Sequence, residues 1–313
     1  QDKFADAFGR NVMKPDAYLP RLSPWSGILL LGPFLLCFAL FWLMPLIWGL
    51  DLSFRTNGLY GPGDFIGLEN YRFILEDPLY KKAIQNTAIY TMCSIGIIIP
   101  LGFLLAHLIR QSFTKLQPIL TFCILLPGLT PPAVLSILFL LFFHGDQGIL
   151  NRILIMPFGM EPINWIHDPQ FIMGSLIFQS VWRWTGFIAF FFLCGMDALP
   201  KAYTEAAKIE GSGPLRTLFH VTLPLVKHII IFAIVFLFVD AFSMFSGAYS
   251  LLGGSGGPGN AGLLLVTHVY HTAFVKGNFG DASAIVFTIA PVLILIIYWI
   301  IIKPPIKFSN YRV

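Results

Sequence analysis

Residues 199–224 read Leu-Pro-Lys-Ala-Tyr-Thr-Glu-Ala-Ala-Lys-Ile-Glu-Gly-Ser-Gly-Pro-Leu-Arg-Thr-Leu-Phe-His-Val-Thr-Leu-Pro, a charged and ordered run between two long apolar blocks. Pro200 suits the first turn of a helix, Ala202, Ala206 and Ile209 recur at helical spacing on one face, and Gly211 stands where a helix ends with positive φ. Pro214 opens a second short helix, with Leu215, Leu218 and Phe219 on one side, until Pro224 interrupts the pattern. The expected product is a compact knob: helix, glycine corner, helix.

The flanking blocks decide the class. Of 313 residues, 56% are hydrophobic and 12% charged, with a mean hydropathy of +0.76, which leaves too little polar surface for a soluble protein of this length. The reading is an all-α integral membrane protein. Apolar stretches long enough to cross a bilayer lie at about Gly27–Leu50, Thr87–Ile109, Ile119–Phe143, Ile172–Cys194, Ile229–Leu252 and Ala282–Ile302, so six transmembrane helices are expected. A polar tail over 1–25, a membrane domain over 26–302 and a second tail over 303–313 follow. The block after the first tail lacks a small-residue cleavage site, so the first span is expected to be retained.

Basic residues set the orientation. With the N-terminus cytoplasmic, thirteen Lys and Arg lie in inside segments and six outside, which places both termini and the 199–224 knob in the cytoplasm. The formal charge of +4 is explained by this sidedness and requires no nucleic-acid partner. Cys37, Cys93, Cys123 and Cys194 fall in four different apolar blocks, a pattern that fits neither a disulfide framework nor a metal site.

Glu205-Ala206-Ala207, then Gly211, then Leu223-Pro224 resembles the "EAA" loop of permease subunits in binding-protein-dependent ABC importers. Glu210 and Ser212 depart from the commonest form of that loop, with charge and size nearly kept. The outer segments resemble the sugar-type, maltose/oligosaccharide-like branch: Phe65 to Tyr71, Gly148 to Asn151, Ile163-Asn164-Trp165, Trp182 to Phe187, Gly256 to Asn260, Tyr270 to Phe274 and Phe279-Gly280. The resemblance implies a type I importer permease fold in a bacterial or archaeal cytoplasmic (inner) membrane. It implies that Glu205, Ala206, Ala207, Gly211 and Pro214 couple to an ATPase. The implied partners are two ABC ATPase subunits carrying ATP and Mg, an extracytoplasmic solute-binding protein and a second permease, with a heterodimer favoured. A sugar is the implied substrate, and a glycerol derivative or other compatible solute is the alternative. The run Gly253 to Gly259 is longer than the family's usual glycine-rich turn.

Two ionisable residues lie deep in spans. Arg183 in the fourth and Asp240 in the fifth reach similar depth, and a lone charge there costs roughly 2.5–3.5 kcal/mol, so neither faces lipid. Pairing with each other is the economical arrangement. Gln179, Arg183 and Gly186 share one helical face, and Asp240, Ser243 and Gly247 another. These faces are either a structural ion pair with its surroundings or two stripes along a solute path, with Trp184 and Tyr249 as candidate stacking rings among aromatics that otherwise pack or meet lipid. Pro127, Gly128, Pro131 and Pro132 bend the third span, and such breaks are tolerated beside a cavity.

Gly254, Gly256 and Gly259 satisfy G-x-G-x-x-G, but no strand precedes them, so a dinucleotide site is not expected. No G-x-x-x-x-G-K-[ST] occurs, and ATP hydrolysis is therefore assigned to a partner. His107, His268 and His271 lack ligand partners at metal spacing. A membrane enzyme acting on lipid-linked sugars would gather acids or histidines at one face; here they are scattered and no H-E-x-x-H occurs. The chain is read as a non-enzymatic subunit without a bound cofactor or metal.

Overall fold

A computed structural model describes residues 24–56 and 63–302. The tails expected over 1–25 and 303–313 lie outside the described residues, except that Pro24 and Trp25 open the first helix. The chain divides after Asp51 into two units. The first is helix α1 (24–52), whose last residue crosses that boundary. The second carries α2 (Glu69–Glu76), α3 (Pro78–Gln111), α4 (Gln117–Leu129), α5 (Pro132–Phe142), α6 (Pro169–Asp197), α7 (Lys201–Ile209), α8 (Pro214–Leu225), α9 (Lys227–Phe242), α10 (Ser246–Leu251), α11 (Leu265–Tyr270) and α12 (Phe279–Ile302). Among the described residues four helices are long and apolar enough to cross a membrane: α1 over Leu29–Leu52, α3, α6 and α12. The count becomes six if α4 with α5, bent by 96°, and α8 with α9, bent by 70°, are each one span.

The breaks fall where the backbone demands them. Thr130, ahead of Pro131, is extended at ψ 130, because a following proline excludes the helical region, and Pro131 is extended in turn. Pro127 stays inside α4. Two expected boundaries are corrected. The helix assigned to 229–252 stops at Phe242 and resumes as α10 at Ser246; Ser243 Oγ donates to Val239 O (2.6 Å) and to Asp240 O (3.2 Å), drawing the helix end onto a side chain. Pro224 does not interrupt its helix; the bend comes two residues later, at Val226 (φ −93, ψ 16).

Pro224 is accommodated by a device that occurs three times among the described residues. Helical turns of the π type occupy Ala39–Leu43, Asn151–Ile155 and Leu218–Thr222, and each is followed by an X-Pro pair: Met44-Pro45, Met156-Pro157 and Leu223-Pro224. In each, the residue before proline donates its N–H five residues back, to Ala39 O, Asn151 O or Leu218 O. The widened turn relieves the clash a proline ring otherwise makes with the carbonyl four residues earlier.

Within the second unit α3 and α6 lie side by side along much of their length. Gly102 permits the approach: a Cβ there would sit 3.1 Å from Ile188 Cγ2 and 3.2 Å from Ala189 N. Around this seam Ile98, Phe103, Ile188, Phe192, Ile229 and Leu237 form one core cluster, with Phe103 edge-on to Phe192 at 5.4 Å. A second cluster, with Tyr90, Leu135, Phe139, Ile172, Leu176 and Ala248, lies toward the opposite ends of the helices. Arg110 Nε and Asp197 Oδ1, 3.0 Å apart, tie the C-terminal ends of α3 and α6.

Several loop segments are tied down by asparagines. Asn151 Nδ2 donates to the Gly145 and Ile163 carbonyls, while its Oδ1 accepts from Ile163 N (3.2 Å) and Trp165 Nε1 (3.0 Å). Asn86 Nδ2 donates to Asn260 O (2.9 Å) and Leu263 O (3.1 Å), and Asn70 Nδ2 to Ser53 O (3.0 Å) and Arg55 O (2.8 Å). These side chains satisfy loop carbonyls that would otherwise be buried without donors.

Candidate functional site: a protruding knob and a polar pocket

The 199–224 segment folds as the sequence specifies up to Pro224. Helix α7 ends in a paired cap: Ser212 N–H donates to Ala207 O (2.9 Å) and Gly211 N–H to Lys208 O (3.0 Å), with Gly211 at φ +78. Only glycine holds that left-handed corner without cost. Pro214 then opens α8. Glu205 and Ala206 are exposed, and so are the apolar side chains of Ile209 (88% exposed), Leu215 (67%) and Phe219 (52%). Ala207, expected beside Ala206 on the docking face, turns the other way and is buried, so it seats the helix on its own chain. The hairpin thus carries an exposed apolar set beside its charged residues.

The second locus is a small cavity. Helix α6 contributes Gln179, Ser180, Arg183 and Trp184; Tyr90 comes from α3, Pro132 from the first turn of α5, and Met244 and Gly247 from the α9–α10 junction. The cavity measures ≈ 10 Å³, room for about one water. Gln179 Oε1 and Arg183 Nε are buried there without a hydrogen bond. Gln179 Nε2 reaches Ser136 Oγ at 3.4 Å. Such a set can exchange hydrogen bonds with water or a hydroxyl-bearing solute, and it sits where two spans are broken.

The expected Arg183–Asp240 ion pair does not form. Trp184 Nε1 donates to Asp240 Oδ2 at 2.7 Å, and the Arg183 guanidinium carbon lies 4.6 Å from the centroid of the Trp184 ring. The indole thus serves both charges, one by its edge donor and one by its face. Trp184 is braced edge-on by Phe187 (5.5 Å) and Phe236 (5.0 Å). Of the residues assigned to a solute path, Gln179, Arg183 and Trp184 meet at the cavity, whereas Asp240 stands behind Trp184. Ser243 is exposed and bonded to its own helix, Tyr249 lies on α10 outside the cavity, and Gly186 packs on α4, where any side chain would collide with the Ile124 carbonyl. Sequence reasoning missed Tyr90, Ser180 and Met244. The available signal was the row of small polar residues Thr87, Thr91 and Ser94 around Tyr90 in an otherwise apolar span.

Residues 98–303, which hold the cavity-lining part of α6 and the whole knob, match the family described as "binding-protein-dependent transport system inner membrane component". The chain belongs to this family. The permease is 30% identical to the arabinooligosaccharides transport system permease protein AraP of Bacillus subtilis, with 89% of this chain and 87% of that one aligned. It is 29% identical to the sulfoquinovosyl glycerol transport system permease protein SmoG of Agrobacterium fabrum, over 93% and 97% of the two chains. Its fold superposes on a chain from the crystal structure of a bacterial ABC transporter that imports the acidic polysaccharide alginate, with TM-score 0.77 and 20% identity over 88% and 93% of the chains. The permease is accordingly a multi-pass component of a transport system, not an enzyme, and relatives such as AraP are named for saccharides.

Proposed function

We propose that this permease forms half of the translocation path of an ATP-driven importer for a saccharide, working by alternating access. The observation that carries the reading is the knob: a glycine-cornered hairpin with Glu205, Ala206, Ile209, Leu215 and Phe219 turned outward. An ATPase subunit that docks on these side chains moves α8, and with it α9 across the 70° bend at Val226. Reversing a 1:99 conformational preference requires about 5.5 kcal/mol of differential binding, and short capped helices transmit such a load better than a slack loop. Glu205 meets a basic group of the ATPase in this scheme. A second permease completes the path, and a solute-binding protein delivers the cargo to the end remote from the knob.

The polar cavity then belongs to the path in a closed state. Gln179, Arg183 and Trp184 offer hydrogen bonds and a ring face to a sugar, and the cavity has to open for one to pass. The test is purification with the partner subunits, followed by ATPase measurements with binding protein and a panel of arabino-oligosaccharides, alginate oligosaccharides and sulfoquinovosyl glycerol, the solutes named for its relatives. Recovery of an ATPase and stimulation by at least one saccharide support the reading. Purification without any nucleotide-hydrolysing subunit would refute it.

A further inference from the structure

The glycine run Gly253 to Gly259 and the loop ahead of α6 border a second, larger hollow. Its volume is ≈ 480 Å³, within the range of about 300–1,000 Å³ usual for small-molecule sites. Buried Leu251 and Leu252 of α10 form the floor, half-buried Leu140 of α5 and Ile166 the walls, and His167 and Gly253 stand exposed at the mouth. Ser250, half-buried, also lines it. Ser250 Oγ and the His167 ring make no hydrogen bond with any described residue.

The glycine wall is preformed. Ser255 Oγ donates to Leu252 O (3.1 Å) and accepts from Gly257 N–H (3.3 Å), and Gly262 N–H donates to Gly256 O (2.8 Å). Gly257 holds φ +71, and a Cβ on it would meet Ile172 Cδ1 at 2.9 Å, so the turn closes on α6 only as glycine. Asn86 pins the far side of the turn through Asn260 O and Leu263 O. A Cβ on Gly253 would meet nothing within 4 Å, which leaves the mouth open.

Elements of the polar cavity continue into this hollow. Helix α10 gives Gly247 to the cavity and Leu251, four residues on and on the same face, to the hollow, while α5 gives Leu135 to one and Leu140 to the other. The two spaces therefore lie about one turn, roughly 6 Å, apart along α10. Helix α6, which carries Gln179 to Trp184 and runs toward the knob, begins just after Ile166 and His167, so the hollow lies on the side of the cavity away from the knob.

We infer that this hollow is a saccharide subsite, which holds a sugar unit of the incoming cargo before the polar cavity opens to it. The inference rests on the saccharide reading above and adds a site to it. A sugar unit has apolar C–H faces and hydroxyl edges, and the hollow sets an aliphatic floor beside one hydroxyl and one imidazole with free hydrogen-bonding capacity. No Lys, Arg, Asp or Glu lines it, so it recognises hydroxyls and not charge, and a neutral unit is the class it takes.

The test uses the full complex with the four native cysteines of this chain replaced and Ser250→Cys, a near-isosteric change, as reporter. The probes are neutral trisaccharides of pentose and of hexose units. A trisaccharide several-fold above its dissociation constant should slow methanethiosulfonate labelling of Ser250→Cys about 3- to 10-fold. Labelling of Gln147→Cys, exposed in the loop after α5, should not change. His167→Cys, at an exposed position of the same mouth, is a second reporter should Ser250→Cys assemble poorly, and the same protection is expected there. Equal labelling rates with and without sugar overturn the subsite. Protection by sugar-free binding protein alone also overturns it, because the hollow would then seat a protein segment. The parent complex separates the two readings: ATPase activity stimulated by loaded binding protein, with both reporters unprotected, removes the subsite alone, whereas no stimulation by any saccharide removes the saccharide reading and the subsite with it.

Discussion

Trp184→Phe is the sharpest probe of the buried site. Phenylalanine keeps a ring against Phe187 and Phe236 but removes the Nε1 donor that Asp240 accepts from at 2.7 Å. Bonds to charged acceptors are worth about 1.5–3 kcal/mol, while interhelical bonds in membranes average about 0.6 and reach about 1.7 kcal/mol. The two ranges meet near 1.5 kcal/mol, roughly a tenfold loss in the folded-to-unfolded ratio. In the Asp240→Asn background the acceptor is neutral, and the same step should cost only about 0.5 kcal/mol. Denaturation of the purified complex in mixed micelles, run as a double-mutant cycle, reads the coupling of about 1 kcal/mol directly. A matching cycle of Arg183→Gln with Asp240→Asn should give a smaller value, because no direct ion pair joins those side chains. Additive behaviour at 184 and 240, with strong coupling at 183 and 240 instead, would refute the geometry.

Other consequences are open to measurement. Gly211→Ala and Gly211→Trp both force a side chain into φ +78, which costs about 1–2 kcal/mol, but a Cβ at Gly211 meets nothing of its own chain within 4 Å. The tryptophan variant should therefore lose far more uptake than the alanine variant while both retain folded helices; equal losses would show that the corner, not a docked partner, is responsible. Asn151→Ala removes the donor to the Gly145 and Ile163 carbonyls and the acceptor for Ile163 N and Trp165 Nε1, and limited proteolysis should cut the 145–165 segment faster, with little change in ATPase activity without binding protein. His268, buried on α11 beside Asp77, has its pKa lowered by burial; Asp77 opposes the shift, and Lys276 and His271 reinforce it. The folded state favours the neutral ring, so this contribution to stability is complete above the ordinary value of 6.5 and lost as pH falls below it. Thermal unfolding against pH should show that loss, and His268→Gln should flatten it.

Much of the architecture was legible because bilayer physics leaves few choices. Span lengths, the bend at Pro131-Pro132 and the corner at Gly211 follow from hydropathy and from two residue types with restricted backbones. Three features were not legible. Hydropathy continues smoothly through Phe242 to Leu252, so it cannot report that Ser243 folds back onto Val239 and ends the helix. Pro224 reads as a stop unless the π-turn ahead of it is known. Depth alone brings Arg183 and Asp240 level, but which neighbour faces Asp240 depends on the rotation of α6, and adjacent helical positions point about 100° apart. That rotation gives the carboxylate to Trp184 and leaves the Arg183 Nε facing the cavity without a partner.

The most direct measurement concerns the knob. With Cys37, Cys93, Cys123 and Cys194 replaced, Ala206→Cys in the assembled complex should cross-link to the ATPase subunit through a short bifunctional thiol reagent, with a yield that changes between nucleotide-free and ATP-bound states. Labelling of the same position by a membrane-impermeant reagent from outside the cell, with no cross-link to a nucleotide-binding subunit, would contradict the account.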